Sequence, residues 1–586
     1  MLGGKNKQAH LSPICNESVT IRYAVSPLTT PLPLGYHCDV PRCLLAVRWV
    51  FDECFLRKFS VLFPLFTIPF PEDYHPLTEG GMTNVQLSFL AYLGSFSVNP
   101  ARLGGSILQK SVNFFLKYGK IHKLPNRYVS NYRIKYPQIT ELRKNICLYQ
   151  KKVLPLQSQI QILMAYKERI VDKLLLRRLA GKGAVQIEGP KWCGKTTTAK
   201  QVAKSVLDLG DAEVLQQSKQ LIEISSKTLL QGDTPRLIDE WQTLPTLWDA
   251  IRSEVDRRNE FGQFILTGSS VLPQPNATIH SGTGRFAHVR MRPMSLFESG
   301  EGNAVISISA LFDGEEYAPA QNHLALEDIA FLLCRGGWPQ TTFLEGNVAL
   351  DQAFDYVDSV VERDIQRVDG VERSAERARR LLRSYARNIA QQVSLKTIRT
   401  DMLNNDTATL DEDTVADYIK SLKRLYVVED LEAWNPNLRS KAAIRTSDTR
   451  HLVDPSIGTA VLGVGPTDLM KDLDSFGLFF ENMAIRDLRV YAEALDGRVY
   501  HYRDSDGLEC DAVLHRRNGS YGLIEVKLGG ETQIEEAAIT LNKLEAKIDT
   551  TRMSNPSFKM VLTAVGKYAL KRKDGVYVVP IGCLKP

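Results

Sequence analysis

At 586 residues, with 24% charged and 44% hydrophobic positions, the chain has room for three or four domains with cores of their own. No uninterrupted apolar run reaches the roughly eighteen residues of a membrane-spanning helix, so no membrane partner is expected. The formal charge is a modest +6, and nine cysteines without a C-x-x-C pair support neither a zinc site nor a disulfide framework, which fits a reducing cytoplasm.

The charge is unevenly spread. Residues 1–163 hold 19 Lys and Arg against 8 Asp and Glu, a balance of +11 that leaves −5 for residues 164–586. A basic extension can bind nucleic acid. This one, however, lacks sustained helical or strand periodicity and is broken by prolines. It also holds Cys15, Cys38, Cys43, Cys54 and Cys147. Its most apolar window, Phe59 to Phe70, is short and contains Pro64 and Pro69. Met164 to Arg169 then begins a clean amphipathic helix. The expectation is that translation starts near Met164 and that 1–163 is read-through of upstream sequence, not a folded domain.

Ala184 to Glu188 reads as a strand and Thr197 to Leu209 as a helix. Between them, Gly189-Pro190-Lys191-Trp192-Cys193-Gly194-Lys195-Thr196 fills every fixed position of G-x-x-x-x-G-K-[ST]. Glycines let backbone N–H groups turn inward around phosphates, with Thr197 in the following helical turn. Lys195 reaches the β/γ-phosphates and the Thr196 hydroxyl ligates Mg²⁺. ATP and Mg²⁺ are therefore the expected ligands. Pro235 to Glu240 is an apolar strand ending in two carboxylates. Asp239 suits Mg²⁺, and Glu240 suits the orientation or deprotonation of an attacking water. Gly262 to Ser270 is another buried-type strand closing on hydroxyls, and either Thr267 or Ser269 is placed to sense the γ-phosphate. Arg285 precedes the strand-like run Phe286 to Met291. A guanidinium supplied there to a neighbouring subunit's nucleotide would stabilise transition-state charge, which implies a homo-oligomer. Arg290 and Arg292 are rivals for that role.

Downstream, Asn322 to Leu333 and Leu350 to Val368 read as helices separated by the turn Gly336-Gly337-Trp338-Pro339. Arg373 to Ala390 is a further helix. Asp413 or Thr414 is expected to cap the next, whose Val415, Ile419, Leu422 and Tyr426 fall at helical spacing. Tyr426 to Leu431 continues as a strand. Helices followed by a strand pair suggest a winged helix-turn-helix, with Lys420, Lys423 and Arg424 available to DNA phosphates or simply solvated on a joining domain.

Near the C-terminus, Phe479-Phe480-Glu481-Asn482 opens a helix running to about Glu493. Val499 to Tyr502, Glu509 to Leu514 and Tyr521 to Lys527 read as strands, and a helix follows from about Ile534 to Lys547. Asp511, Glu525-x-Lys527 and Glu481 in this order resemble the PD-(D/E)XK nuclease core, with Gly507-Leu508-Glu509-Cys510 in place of its Pro-Asp. Glu481, Asp511 and Glu525 would hold Mg²⁺ on a phosphodiester while Lys527 orients the attacking water. Glu525 and Lys527, two apart, share a strand face. Glu509 shares a face with Asp511 and is a rival ligand.

The phosphate loop, together with Leu237-Ile238-Asp239-Glu240-Trp241-Gln242, Phe264 to Ser269 and Arg292-Pro293-Met294-Ser295-Leu296, resembles prokaryotic AAA-type ATPases. The subgroup is the one that carries a C-terminal domain of unknown function 4143. The resemblance runs from about Met164 to Pro586. It implies an ATPase, and with the elements read above the expected architecture is an α/β P-loop ATPase core over 164–300, a helical and winged-helix segment over 301–470 and a small α/β nuclease-like domain over 471–586. The expected function is an ATPase acting with a nucleic-acid-associated C-terminal module, with DNA as a partner. The alternatives are a slow ATP-dependent switch recruiting a protein partner and an ATP-gated, metal-dependent nuclease.

Overall fold

The computed structural model describes residues 166–586 except 269–281, 369–370, 404–409 and 436–446. The basic extension 1–163, the expected start at Met164 and the candidate Ser269 lie outside the described residues.

Five strands form a wholly parallel sheet: β1 (Ala184–Glu188), β2 (Ser205–Asp208), β3 (Arg236–Asp239), β4 (Phe264–Gly268) and β5 (Phe286–Arg290), in the order β2-β3-β4-β1-β5. Parallel pairing needs crossovers. These are supplied by α2 (Lys195–Val202), α3 (Ala212–Leu229) and α4 (Leu247–Arg258), while α1 (Ile170–Leu179) leads into β1. The sheet is buried on both faces, which is why its strands read as apolar runs and not as alternations. Leu237, Ile265, Val185 and Ile187 pack with Val171 and Leu175 of α1 and Ala199 of α2. Their neighbours Ala184, Ile238, Phe264 and Leu266 pack on the other side with Leu247 and Ile251 of α4.

The sequence overextends one element here. The helix expected from Thr197 to Leu209 ends at Val202, and Ser205–Asp208 is strand β2. This edge strand is only four residues long, too short a local signal to override the helical pattern preceding it.

The middle of the chain is helical: α5 (Leu326–Arg335), α6 (Gly346–Ser359), α7 (Ala375–Arg387), α8 (Leu395–Leu403), α9 (Glu412–Arg424) and α10 (Pro455–Leu462). Several boundaries differ from expectation: α6 begins at Gly346 and not at Leu350, and α7 covers Ala375–Arg387 within the expected Arg373 to Ala390. Asn322 precedes the start of α5, and α6 gives way to a π-helical turn over Val360–Asp364. The cap of α9 is Asp411, which accepts the Thr414 N–H at 2.7 Å, and neither Asp413 nor Thr414 fills that place. Tyr426 to Leu431 is not a strand. Only isolated bridges join Val428 to Leu452 and Leu431 to Thr449.

The C-terminal sheet has seven strands in the order β7-β12-β13-β11-β10-β9-β8. They are β7 (Ala320–Gln321), β8 (Gly497–Arg503), β9 (Glu509–Arg516), β10 (Tyr521–Lys527), β11 (Phe558–Thr563), β12 (Tyr568–Lys571) and β13 (Val576–Pro580). Val513, Leu523 and Val561 pack against Ala538 and Leu541 of α12 (Glu531–Lys547). Leu514, Ile524 and Met560 join a cluster with Phe480 and Ala484 of α11 (Leu473–Ala494). β7 comes from the chain just after the ATPase core, and β6 (Ile306–Ser307) pairs with the last strand, β14 (Leu584–Lys585). The segment after residue 300 is thus stitched into the C-terminal sheet. Helix α11 starts six residues before Phe479, capped by Asp472, which accepts the Ser475 N–H at 3.1 Å.

Candidate functional site

β1 delivers the chain to Gly189, and α2 carries it away from Lys195. The loop between them turns through positive φ at Gly189 (153°), Trp192 (66°) and Gly194 (100°). A Cβ at Gly189 would overlap the Met291 carbonyl, so crowding as well as backbone angle confines this position to glycine. The N-terminus of α2 opens onto the loop, where its free N–H groups favour an anion. Lys195 is buried and donates to the carbonyls of Gly189 at 2.9 Å and Pro190 at 2.7 Å.

Asp239 ends β3, beside the end of β4. Its Oδ1 accepts from Thr196 at 2.8 Å and from Thr267 at 2.5 Å. The structure therefore brings together Lys195, Thr196, Asp239 and Thr267 across three elements. A hydroxyl and a carboxylate in contact at the loop mouth suit Mg²⁺, which takes few protein donors beside phosphate and water. Glu240 follows with φ 52°, and its carboxylate accepts from the Gln242 amide. Thr197 is exposed on the first turn of α2.

The loop is gripped from outside by groups that sequence reasoning missed. Arg169 donates to the carbonyls of Cys193 and Arg292, both at 2.8 Å, and pairs with Glu298 at 3.0 Å. Lys191 pairs with Asp364 of the π-helical turn at 2.5 Å, and the Trp192 ring lies 6.0 Å from Tyr356 of α6. An Arg or Asp far away in sequence gives no local sign of such a partner.

Arg285 lies at the N-terminal edge of β5, opposite the phosphate loop, and pairs with Asp256 at 2.8 Å. Its rivals are tied internally. Arg290 pairs with Glu429 at 2.9 Å, while Arg292 reaches Glu429 at 2.7 Å and Glu493 at 2.8 Å. Arg489 of α11 donates to the carbonyls of Glu429 and Asp430 at 2.9 and 3.0 Å. This node joins the core, the helical segment and α11. Burial opposes the charge of Arg292, but Glu429 and Glu493 outweigh it and hold the guanidinium protonated. Burial likewise opposes the charge of Glu429, yet Arg292, Arg489 and Arg290 hold its carboxyl well below the usual range.

In the C-terminal sheet, β9 and β10 run antiparallel with Ala512 opposite Ile524, so Asp511 comes level with Glu525. The Lys527 ammonium stands 3.2 Å from Asp511 and 2.9 Å from Glu525, and the Val526 N–H donates to Asp511 at 2.7 Å. Burial and the Asp511 carboxylate push Glu525 up to about 8 and drive Glu481 of α11 well above the carboxylate range. Burial opposes the charge on Lys527, but Asp511 and Glu525 prevail and raise it. All four predicted groups thus share one electrostatic neighbourhood. Glu509 is exposed and pairs with Arg503 at 3.1 Å. Among the described residues no three His, Cys, Asp or Glu side chains are arranged to hold a metal ion. The oxygen donors suit a hard cation by type, and Lys527 supplies the positive charge between Asp511 and Glu525.

Residues 181–299 match an AAA domain family. The chain carries an AAA domain. Residues 476–584 match the domain of unknown function 4143, and residues 326–468, between the two, match the domain of unknown function 8612. The AAA domain contains the phosphate loop, the carboxylates Asp239 and Glu240 at the end of β3, and Thr267. Among solved structures, a Walker-type ATPase of Pyrococcus abyssi aligns over 51% of this chain and 99% of its own, at 13% identity and a TM-score of 0.33. No curated protein matches the chain. Among the described residues, no helix is long and apolar enough to cross a membrane.

Proposed function

We propose that the AAA domain binds Mg²⁺–ATP and hydrolyses it, and that its nucleotide cycle acts on the C-terminal carboxylate site. The observation that carries the ATPase reading is the contact chain Thr196–Asp239–Thr267 at the mouth of a complete phosphate loop. Lys195 exchanges its carbonyl partners for the β/γ-phosphates, and backbone N–H groups of the loop and of α2 cradle them. Thr196 and Asp239 hold Mg²⁺, which supplies charge neutralisation on the phosphates when bound. Glu240 takes the proton of the attacking water. Thr267, already on Asp239, links the γ-phosphate to the end of β4. Arg285 is exposed on the edge away from its own loop, which suits service to a neighbour's nucleotide in a homo-oligomer.

A second reading concerns the C-terminal domain. Asp511, Glu525 and Lys527 within 3.2 Å on adjacent strands support a PD-(D/E)XK-type site for phosphodiester cleavage. The helices α7 to α9 and the bridges after them support a winged-helix reading. Lys423 is already paired with Asp430 at 2.8 Å, which favours a joining role over DNA contact.

The test is turnover of ATP by the full chain, with and without DNA, beside cleavage of single- and double-stranded substrates in Mg²⁺ or Mn²⁺. ATP hydrolysis lost in Glu240→Gln with binding retained supports the ATPase. Cleavage lost in Asp511→Ala with ATP hydrolysis intact supports the nuclease. A parent that cleaves nothing but hydrolyses ATP removes the nuclease and leaves the ATPase standing.

A further inference from the structure

The turn after β3 contains a contact that the ATPase reading does not use. Glu240 occupies the left-handed region at φ 52°, ψ 42°, and the chain enters a 3₁₀ turn over Trp241–Thr243. A non-glycine residue held there is strained and persists only where its surroundings enforce it. Here they do. The Trp241 ring is buried in the core cluster and lies 5.1 Å from Trp248 of α4. The Thr243 N–H and hydroxyl both donate to the Glu240 carbonyl, at 3.0 and 2.8 Å. This fixes the backbone on either side of Gln242. The Gln242 amide then donates to the Glu240 carboxylate. Its other end, Oε1, is buried with no hydrogen-bond partner among the described residues and lies against Gly268, where a Cβ would overlap it. An amide carbonyl left unpaired in a buried place costs stability. The arrangement is therefore a costly one whose visible product is the fixed carboxylate. The end of β4 consequently touches both acids: Thr267 directly on Asp239, Gly268 through Gln242 on Glu240.

We infer that Gln242 is a positioning residue for hydrolysis: its amide, wedged against Gly268, holds the Glu240 carboxylate in the orientation that receives the water's proton. Oε2 of the carboxylate is taken by the amide, and Oε1 has no hydrogen-bond partner among the described residues and can accept. Positioned proton acceptors lose efficiency once they rotate out of reach. This inference rests on the ATPase reading with Glu240 as base.

Gln242→Met tests it. The thioether has nearly the same length and shape against Gly268 but donates nothing, so the turn should fold. The full chain carrying Gln242→Met should hydrolyse ATP roughly ten- to a hundredfold more slowly, with KM for ATP and nucleotide affinity unchanged. Gly268→Ala, whose methyl displaces Oε1, should reproduce that loss. In a Glu240→Gln background, Gln242→Met should change residual turnover by less than about twofold, because a residue acting only through Glu240 has nothing left to position. A Gln242→Met chain that hydrolyses like the parent, while Glu240→Gln is slow, overturns this inference and spares the ATPase reading. Equal additive losses in both backgrounds also overturn it, since they mark a merely structural role. A Glu240→Gln chain as active as the parent overturns both.

Discussion

The two polar sites of this molecule handle buried acid in opposite ways. At the phosphate loop, Asp239 is 5% exposed and is met by two neutral hydroxyls, with Lys195 turned onto backbone carbonyls. The positive charge and the negative charge are kept apart, each ready for a ligand of the other sign. In the C-terminal sheet, Lys527 sits between Asp511 and Glu525, and Glu481 and Glu525 are pushed toward their protonated forms. There the charges cancel within the protein. On the function proposed above, the first site takes an anion with its metal. The second is balanced internally, and any cation entering it must compete with an ammonium and with protons.

The largest effect should come from the site whose charges are kept apart. Lys195→Ala removes the ammonium that the loop carbonyls of Gly189 and Pro190 hold. Equilibrium binding of ATP should weaken by roughly a hundredfold or more, since a charge-assisted contact to phosphate is worth about 1.5–3 kcal/mol and further loop order goes with it. Binding of adenosine, which carries no phosphate, should be unchanged. If ATP affinity falls by less than about threefold, the loop does not depend on that charge and the contrast with Lys527 collapses.

A second test breaks the link between the sites. Arg292 follows β5 and ties the AAA domain to Glu429 and to Glu493 of α11. Removing one member of a buried ionic network leaves a partner charge without compensation. Arg292→Met should cost roughly 3 kcal/mol. In calorimetry the parent should melt in one transition, with the AAA domain and C-terminal sheet unfolding together. The variant should melt lower and split, and ATP should raise only one of its two midpoints. A single unchanged midpoint would mean that the node does not join them.

The two sites also differ in how well the sequence announces them. The phosphate loop is eight consecutive residues between one strand and one helix, so local chemistry dictates its shape. Asp239 and Thr267 end apolar runs, and parallel pairing alone brings such ends to one edge. The C-terminal acids come from α11, β9 and β10. Spacing predicts that Glu525 and Lys527 share a face, but whether Lys527 faces a metal or neutralises the acids is decided by packing. The same limit hides Lys191–Asp364 and the contacts of Glu429 with Arg292 and Arg489, which span 173, 137 and 60 residues. Short elements fail for another reason. β2 spans four residues and Tyr426 to Leu431 forms only bridges, so sheet partners, absent from any local window, decide both outcomes.

The smallest effect is a pH dependence confined to the second site. Glu525 has an ordinary value of 4.5 when unfolded and is pushed up to about 8 when folded, by burial first and by Asp511 next, with Lys527 opposing. The folded chain therefore binds a proton there more tightly than the unfolded chain does. By linkage, the stability this proton contributes is fully present below pH 4.5 and is lost as pH rises through about 8. Glu525→Gln carries a neutral amide at every pH and removes that slope. Relative to the parent, the variant should gain on the order of 2 kcal/mol between pH 5 and pH 9, read as the difference in urea midpoints at each pH. Mg²⁺ sharpens the result. If the acids accept a divalent cation, millimolar Mg²⁺ should stabilise the parent at pH 9, where Glu525 is ionised, and much less at pH 5. The variant should respond weakly at both. If parent and variant keep a constant difference from pH 5 to 9, Glu525 does not titrate in that window. The internal balance of the C-terminal site would then be carried by Lys527 holding an ionised pair, as a permanent ion triad instead of a protonated one.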